Sequence, residues 1–118
     1  MTKILIVDDD RATSGLLKTV FEMEGFETIA CPDPERVVGV IRRDKPDLVF
    51  MDFHLASAES LSVLVEIKAD KELKKIPVIM TSGLDRSEEC LEAGASKFVI
   101  KPFRPVNLVN DVRAVLNQ

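Results

Sequence analysis

The sequence has 118 residues, of which 46% are hydrophobic and 31% are charged, and its formal net charge is −4. This length and composition predict one ordered domain over residues 1–118, and the acidic balance and short apolar runs argue against direct binding to nucleic acid or membranes. We expect a cytoplasmic protein in which Cys31 and Cys90 are reduced, partly buried thiols, because these cysteines are far apart and lack metal-ligand spacing.

Five short apolar runs along the chain are the predicted strands. Each run is rich in β-formers and mostly continuous rather than alternating, as in strands that are buried on both faces. The runs are ILIV (4–7), FETIA (26–30), DLVFM (47–51), PVIM (77–80) and FVI (98–100).

The segments between these runs have the apolar spacing of amphipathic helices. Asp33, Pro34 and Pro105 are typical of helix starts. Gly25 and Gly94 fall where helices are expected to end. Five successive β-α units predict an α/β fold, with a parallel sheet covered by helices on both faces.

Polar residues follow several of the predicted strands. In a doubly wound sheet, ligands bind outside the carboxyl ends of the strands. The residues found there are Asp8, Asp9 and Asp10 after the first strand, Asp52 after the third, Thr81, Ser82 and Gly83 after the fourth, and Lys101 after the fifth. Carboxylates gathered at one edge repel one another, so the pattern predicts a neutralising partner: a hard divalent cation such as Mg²⁺, the ammonium of Lys101, or both.

Each of these residues also has a simpler interpretation. The run from Asp8 to Asp10 would equally suit a solvated loop that caps the next helix. Lys101 alone would be an ordinary surface lysine at a strand end, although Pro102 restricts the backbone directly after it. Asp52 is harder to explain in this way, because it borders a buried strand where an unpaired acid is costly.

Four stretches of the sequence resemble receiver domains of two-component response regulators, the CheY-like family. They are ILIVDDD, PDLVFMDFHL, IPVIMTSG and EAGASKFVIKPF, and together they span essentially the whole chain in the family's order. The resemblance implies a flavodoxin-like fold, a doubly wound parallel sheet of five strands in the order 2-1-3-4-5.

The resemblance also implies a function for Asp52. This residue would take a phosphoryl group from a histidine kinase or a histidine phosphotransfer protein. Asp8, Asp9, Asp52 and the backbone carbonyl of His54 would hold Mg²⁺. The domain would be a phosphoacceptor in signalling that assists its own phosphorylation and dephosphorylation, rather than an enzyme acting on other substrates.

The remaining roles implied by the resemblance concern the response to phosphorylation. Ser82 and Lys101 would bind the phosphoryl oxygens, and Ser82 and Phe98 would act as the switch, although Phe98 also suits a plain core position. The readout would be the surface of the fourth helix, fifth strand and fifth helix, which would meet a downstream effector, an attached output domain or a second phosphorylated copy. Candidate modulators of the site are His54, Thr81, Gly83 and Leu84.

Two of these modulators have alternative interpretations. A lone histidine such as His54 is more often an exposed loop residue than a modulator of a site, and we favour that interpretation. Thr81 stands where the family usually has an apolar residue, and it is either a plain β-branched strand residue or a second hydroxyl near the site.

Two positions depart from the family pattern in the loop after the third strand. Ala56 stands where a proline is usual, and Ser60 stands where a glycine is usual. We expect a looser loop and an earlier start of the third helix, with the chemistry of the acids and Lys101 retained.

Two other functions are compatible with parts of the sequence. The first is a receiver-like interaction module that works without phosphorylation. The second is a small phosphatase of the haloacid dehalogenase type, because DDDRA is close to the D-x-D-x-T motif of that superfamily. Ala12 replaces the motif's threonine, and Asp52 has no role in that interpretation.

Overall fold

The computed structural model of the chain describes residues 2–55 and 58–117, without the side chains of residues 54, 55, 58 and 59. Its strands are β1 (Lys3–Val7), β2 (Glu27–Ala30), β3 (Leu48–Asp52), β4 (His54–Leu55), β5 (Ala58–Glu59), β6 (Val78–Ser82) and β7 (Lys97–Ile100). Its helices are α1 (Arg11–Met23), α2 (Val37–Asp44), α3 (Ser60–Ala69), α4 (Ser87–Glu92) and α5 (Pro105–Leu116), with a 3₁₀ turn at Pro34–Arg36. The predicted alternation of strands and helices is confirmed.

One parallel sheet forms the centre of the described chain. Its strands lie in the spatial order β2, β1, β3, β6, β7. Counted along the sheet strands alone, this is the predicted order 2-1-3-4-5, so the flavodoxin-like fold is confirmed. Strands β4 and β5 pair with each other in a short antiparallel hairpin after β3, which the sequence did not predict.

The core has two layers, one on each face of the sheet. Ile4 and Ile6 of β1 pack in the layer beneath α1 and α5. Leu5 and Val7 of the same strand pack in the layer beneath α2, α3 and α4. Because successive side chains of a strand point to opposite faces, a strand covered on both sides must be apolar at every position. This explains the continuous apolar runs.

Helix ends match the sequence prediction better than helix starts. Gly25 and Gly94 have φ angles of 91° and 109°, a region that glycine adopts readily. Pro105 is the first residue of α5, as predicted. Asp33 is the exception, because it precedes the 3₁₀ turn and its side chain makes no capping hydrogen bond.

The described part of the chain supports two further observations. No helix within residues 2–55 and 58–117 combines the length and the apolar character needed to cross a bilayer. Cys31 and Cys90 are both free and buried, more completely than the partial burial that the sequence predicted.

Candidate functional site

Charged side chains lie at the carboxyl edge of the sheet, on the same face as one of the two core layers. Ile6 of β1 and Phe50 of β3 belong to the core layer beneath α1 and α5. Asp8 and Asp52 come two residues later, so the alternation of side chains places them on that same face. Lys101 comes from the segment directly after β7 and reaches the same point.

Lys101 pairs with two buried carboxylates. Its Nζ lies 3.3 Å from Oδ2 of Asp52 and 3.5 Å from Oδ2 of Asp8. Asp52 is 7% exposed and Asp8 is 4% exposed, so water screens their mutual repulsion poorly. The ammonium therefore offsets part of that repulsion. The Lys101 N–H also donates to the backbone oxygen of Ser82 at 2.8 Å, which holds the lysine beside β6.

Asp8, Asp9 and Asp52 together form a set of oxygens that fits a divalent cation. One carboxylate oxygen from each of the three lies within 4.8 Å of the others. Oδ1 of Asp8 accepts a hydrogen bond from the Asp10 N–H at 2.9 Å. Oδ2 of Asp8 is buried and has an ion pair with Lys101 but no hydrogen bond from any described residue. Clustered carboxylates with unused acceptor capacity are the hard oxygen ligands that Mg²⁺ prefers.

The electrostatics of Asp8 agree with a site placed for a cation. Burial is the main cause that raises the pKa of this carboxyl above its ordinary value, and the charge of Asp52 adds to the rise. The Asp10 N–H and the Lys101 ammonium lower the pKa of Asp8, but they do not reverse the shift. Ionisation of Asp8 is therefore less favourable in the fold than in water, and further positive charge nearby would offset this cost.

Asp10, the third acid of the run, has a different task. It is the N-cap of α1, where its carboxylate accepts hydrogen bonds from the Ala12 N–H at 3.0 Å and the Thr13 hydroxyl at 2.9 Å. These bonds, the one from Thr13 first, lower the pKa of Asp10. The members of the acidic run thus differ in their surroundings: Asp10 caps the helix, whereas Asp8 and Asp9 lie with Asp52 in the acidic cluster, whose role as a cation site stays a prediction.

Ser82 and Thr81 end β6, beside the last residue of β3. Thr81 is the parallel partner of Asp52 in the register, and Ser82 is one residue further on. Both are fully buried, and the Ser82 hydroxyl accepts a hydrogen bond from the Leu84 N–H at 3.1 Å. Gly83 and Leu84 are exposed at the start of the following loop. The sequence predicted that Asp52, Thr81 and Ser82 follow strands. In the structure they are instead the last residues of strands, Asp52 of β3 and Thr81 and Ser82 of β6.

Phe98 lies on β7, opposite Met80 of β6. It is partly buried and packs against the core layer beneath α2, α3 and α4. It also borders an open groove of about 380 Å³ between β7 and α5. Its surroundings suit a core residue and a switch residue alike, so the switch role stays a prediction.

The loop after β3 contains interactions that the sequence did not predict. The Ser60 hydroxyl donates to the backbone oxygen of Phe53 at 2.6 Å, and Ser60 is fully buried. The guanidinium of Arg86 lies 5.6 Å from the centre of the Phe53 ring, a cation–π distance. Glu89 pairs with Arg86 at 3.3 Å. Such contacts join residues that are distant in the sequence, so no local motif predicts them.

The expectations for this loop have mixed outcomes. The helix α3 begins at Ser60 and residues 58 and 59 are strand, so the expected earlier start is wrong for those residues. We expected Ser60 to loosen this loop, but its hydroxyl forms a hydrogen bond with Phe53 that holds the loop in place. Ala56 lies outside the described residues. His54 belongs to β4, and its side chain is likewise outside the description.

Comparisons with known proteins show the family to which the chain belongs. A profile of the response regulator receiver domain family matches residues 4–113. The DNA-binding response regulator MtrA of Mycolicibacterium smegmatis is 34% identical over 119 residues, which cover 98% of this chain and 51% of that protein. The chain therefore spans about half the length of such curated relatives.

Solved structures of receiver domains share the fold over nearly the full chain. The BeF3-activated N-terminal receiver domain of Klebsiella pneumoniae RstA is 27% identical with a TM-score of 0.91, covering 99% of this chain and 100% of that one. The signal receiver domain of a histidine kinase from Syntrophus aciditrophicus is 28% identical with a TM-score of 0.90, covering 99% and 91% of the two chains. With the profile match over most of its length, the chain belongs to the family of receiver domains of two-component response regulators.

Proposed function

We propose that Asp52 is the phosphoacceptor of this receiver domain and that its donor is a phosphohistidine on a histidine kinase or a histidine phosphotransfer protein. The observation that carries the proposal is the buried carboxylate of Asp52, with the Lys101 ammonium at 3.3 Å and the carboxylates of Asp8 and Asp9 beside it. Phosphoryl transfer depends mainly on positioning and on neutralising charge, and this arrangement supplies both.

In the proposed transfer, a carboxylate oxygen of Asp52 attacks the phosphorus atom. The new P–O bond forms as the P–N bond of the phosphohistidine breaks, and the imidazole keeps the bonding electron pair and takes up one proton. Lys101 holds a phosphoryl oxygen, and Ser82 donates its hydroxyl hydrogen to another, because its bond with Leu84 uses the hydroxyl oxygen only as an acceptor. Domain and donor together thus perform the transfer, and the receiver assists its own phosphorylation and dephosphorylation.

Mg²⁺ is the proposed cofactor, held by the side chains of Asp8, Asp9 and Asp52 and by the backbone carbonyl of His54. When bound, it supplies positive charge that neutralises these carboxylates and the incoming phosphoryl oxygens. The unused acceptor capacity of Asp8 Oδ2 and the raised pKa of Asp8 support this assignment.

The output is proposed to pass through the surface of α4, β7 and α5. An acyl phosphate adds nearly two negative charges, so it draws Ser82 and Lys101 toward Asp52, and Phe98 responds on β7. The MtrA relative is a DNA-binding response regulator of which this chain matches about half. This relation supports an attached output domain as the partner; a separate effector and phosphorylation-dependent pairing of two copies through the same surface are further proposals.

The free thiols Cys31 and Cys90 support a cytoplasmic location, where thiols remain reduced.

The test is chemical labelling with acetyl phosphate and Mg²⁺, followed by intact-mass measurement. We expect a phosphoryl adduct that hydroxylamine removes and that Asp52→Asn abolishes. Asp10→Asn is the matched control, because Asp10 caps α1 and the adduct should persist in that variant. An adduct that remains in Asp52→Asn would contradict the assignment. A wild-type chain that forms no adduct would favour the alternative, an interaction module that works without phosphorylation.

A further inference from the structure

Thr81 carries a buried hydroxyl that nothing in the described chain satisfies. The residue is 0% exposed, and its Oγ1 has no hydrogen-bond partner among the described residues. A buried hydroxyl without a partner is unfavourable, and apolar residues of similar shape are available for such a position in a strand. The hydroxyl therefore calls for an explanation beyond strand packing.

The position of Thr81 points to Asp52. In the parallel register, Thr81 lies between Asp52 of β3 on one side and Val99 of β7 on the other. Ile79, two residues before Thr81, packs in the same core layer as Phe50, two residues before Asp52. The alternation of side chains thus places Thr81 and Asp52 on one face of the sheet as direct cross-strand neighbours. Of the two strand neighbours, only Asp52 offers a hydrogen-bond acceptor in its side chain.

We propose that the Thr81 hydroxyl is an additional hydrogen-bond donor to the Asp52 carboxyl group, used when that group carries phosphate. This inference rests on the proposed function. In the structure, Oδ2 of Asp52 is paired with Lys101 at 3.3 Å. Once a phosphoryl group draws Lys101 to its own oxygens, the acyl oxygen loses that donor. A change between staggered χ1 rotamers of Thr81 is the motion that would direct its hydroxyl to the Asp52 carboxyl group.

The chemical consequence concerns hydrolysis of the acyl phosphate. Water attacks phosphorus, a new P–O bond forms, and the P–O bond to Asp52 breaks with its electron pair staying on the carboxylate. Both water protons remain with the phosphate, which leaves as dihydrogen phosphate. Negative charge grows on the Asp52 carboxyl during this step, so a hydrogen bond there is stronger in the transition state than before it. Thr81 therefore speeds loss of the phosphoryl group and shortens the signal.

The test measures how long the adduct survives after the phosphodonor is removed. Thr81→Val keeps the shape but lacks the hydroxyl, and we expect it to lengthen the adduct lifetime by about three- to tenfold, the rate equivalent of one hydrogen bond. Thr81→Ser keeps the hydroxyl and should restore a lifetime close to that of the wild type. Thr28→Val is the matched control, because Thr28 is also a strand threonine and its hydroxyl bonds to Glu22, on the β2 side of the sheet.

The outcomes separate this inference from the proposed function. Unfolding of each variant, followed by circular dichroism, should show that Thr81→Val is at least as stable as the wild type, since an unsatisfied hydroxyl is removed. Equal lifetimes in wild type and Thr81→Val would overturn the inference while leaving Asp52 as phosphoacceptor. Equal lengthening in Thr81→Val and Thr81→Ser, or in Thr28→Val, would also overturn it. A wild-type chain that never forms an adduct would overturn both.

Discussion

Gly94, two residues after the end of α4, allows a strong test of how the fold is held together. Its φ is 109°, and a Cβ at this position would lie 2.8 Å from Cγ of Lys68. Lys68 cannot easily move aside, because its Nζ donates to the backbone oxygens of Lys74 at 3.1 Å and Ile76 at 2.7 Å. Gly94→Ala should therefore combine backbone strain with the loss or weakening of at least one of these hydrogen bonds.

The expected cost can be divided between these two causes. A non-glycine residue at such a φ costs about 2 kcal/mol, and one displaced hydrogen bond costs about 1 kcal/mol. The sum of about 3 kcal/mol corresponds to a fall in Tm of about 12 °C for a chain of this size. The chain has no Trp or Tyr, so unfolding is best followed by far-ultraviolet circular dichroism, in urea and on heating.

A double-mutant cycle with Lys68→Ala isolates the contact. Without Cγ of Lys68 the new methyl group meets little, so Gly94→Ala should cost about 1 kcal/mol less in that background. Gly39→Ala is the matched control, since Gly39 lies within α2 with nothing within 4 Å of an added Cβ, and this change should stabilise the chain by about 0.5–1 kcal/mol. The same cost for Gly94→Ala in both backgrounds would refute the role of Lys68.

Three further predictions concern the site and the thiols. Asp8→Asn should raise Tm in EDTA. Adding Mg²⁺ at ten times its Kd should stabilise the wild type by about 1.4 kcal/mol, and the variant should lose this Mg²⁺-dependent rise in Tm. Because burial raises the pKa of Asp8, the stability of the folded wild type falls as pH rises above the ordinary carboxyl range and through the raised pKa. The advantage of the variant should therefore grow as pH rises above about 4, and a constant advantage would contradict this. Lys101→Met removes the ammonium that pairs with Asp8 and Asp52, and it should lower the free energy of unfolding by about 1–3 kcal/mol in EDTA. Mg²⁺ should restore part of this loss, because it would neutralise the same carboxylates. Equal losses in both buffers would argue against a shared cation site. Burial raises the pKa of both thiols, that of Cys90 to about 11, so native protein at about pH 8 should react with iodoacetamide at neither Cys31 nor Cys90, whereas unfolded protein reacts at both; rapid native labelling by mass spectrometry would contradict their burial.

Much of the fold could be predicted from local patterns. The apolar runs are continuous because both faces of the sheet are covered, and this property is visible in the sequence. Gly25, Gly94 and Pro105 mark helix boundaries through backbone preferences that belong to single residues. The family resemblance added the strand order, which the runs alone do not contain.

The residues of the site could also be named in advance, because parallel strands bring their carboxyl ends to one edge. Asp8, Asp52 and Lys101 met there as expected. The sequence did not show which residue of the acidic run caps the next helix and which residues form the cluster. Only the structure separates Asp10, which caps α1, from the cluster formed by Asp8, Asp9 and Asp52.

The sequence by itself determined the alternation of the five sheet strands with the five helices and which polar residues stand at the strand ends, because both follow from short-range periodicity and backbone preference. Tertiary structure alone decided the contacts between distant segments: Ser60 with Phe53, Arg86 with Phe53, and Lys68 beside Gly94. It also decided that the Thr81 hydroxyl is buried beside Asp52 without a hydrogen-bond partner among the described residues. The physical reason is that such contacts depend on the register and packing of neighbouring elements, which become defined only when the whole core is assembled.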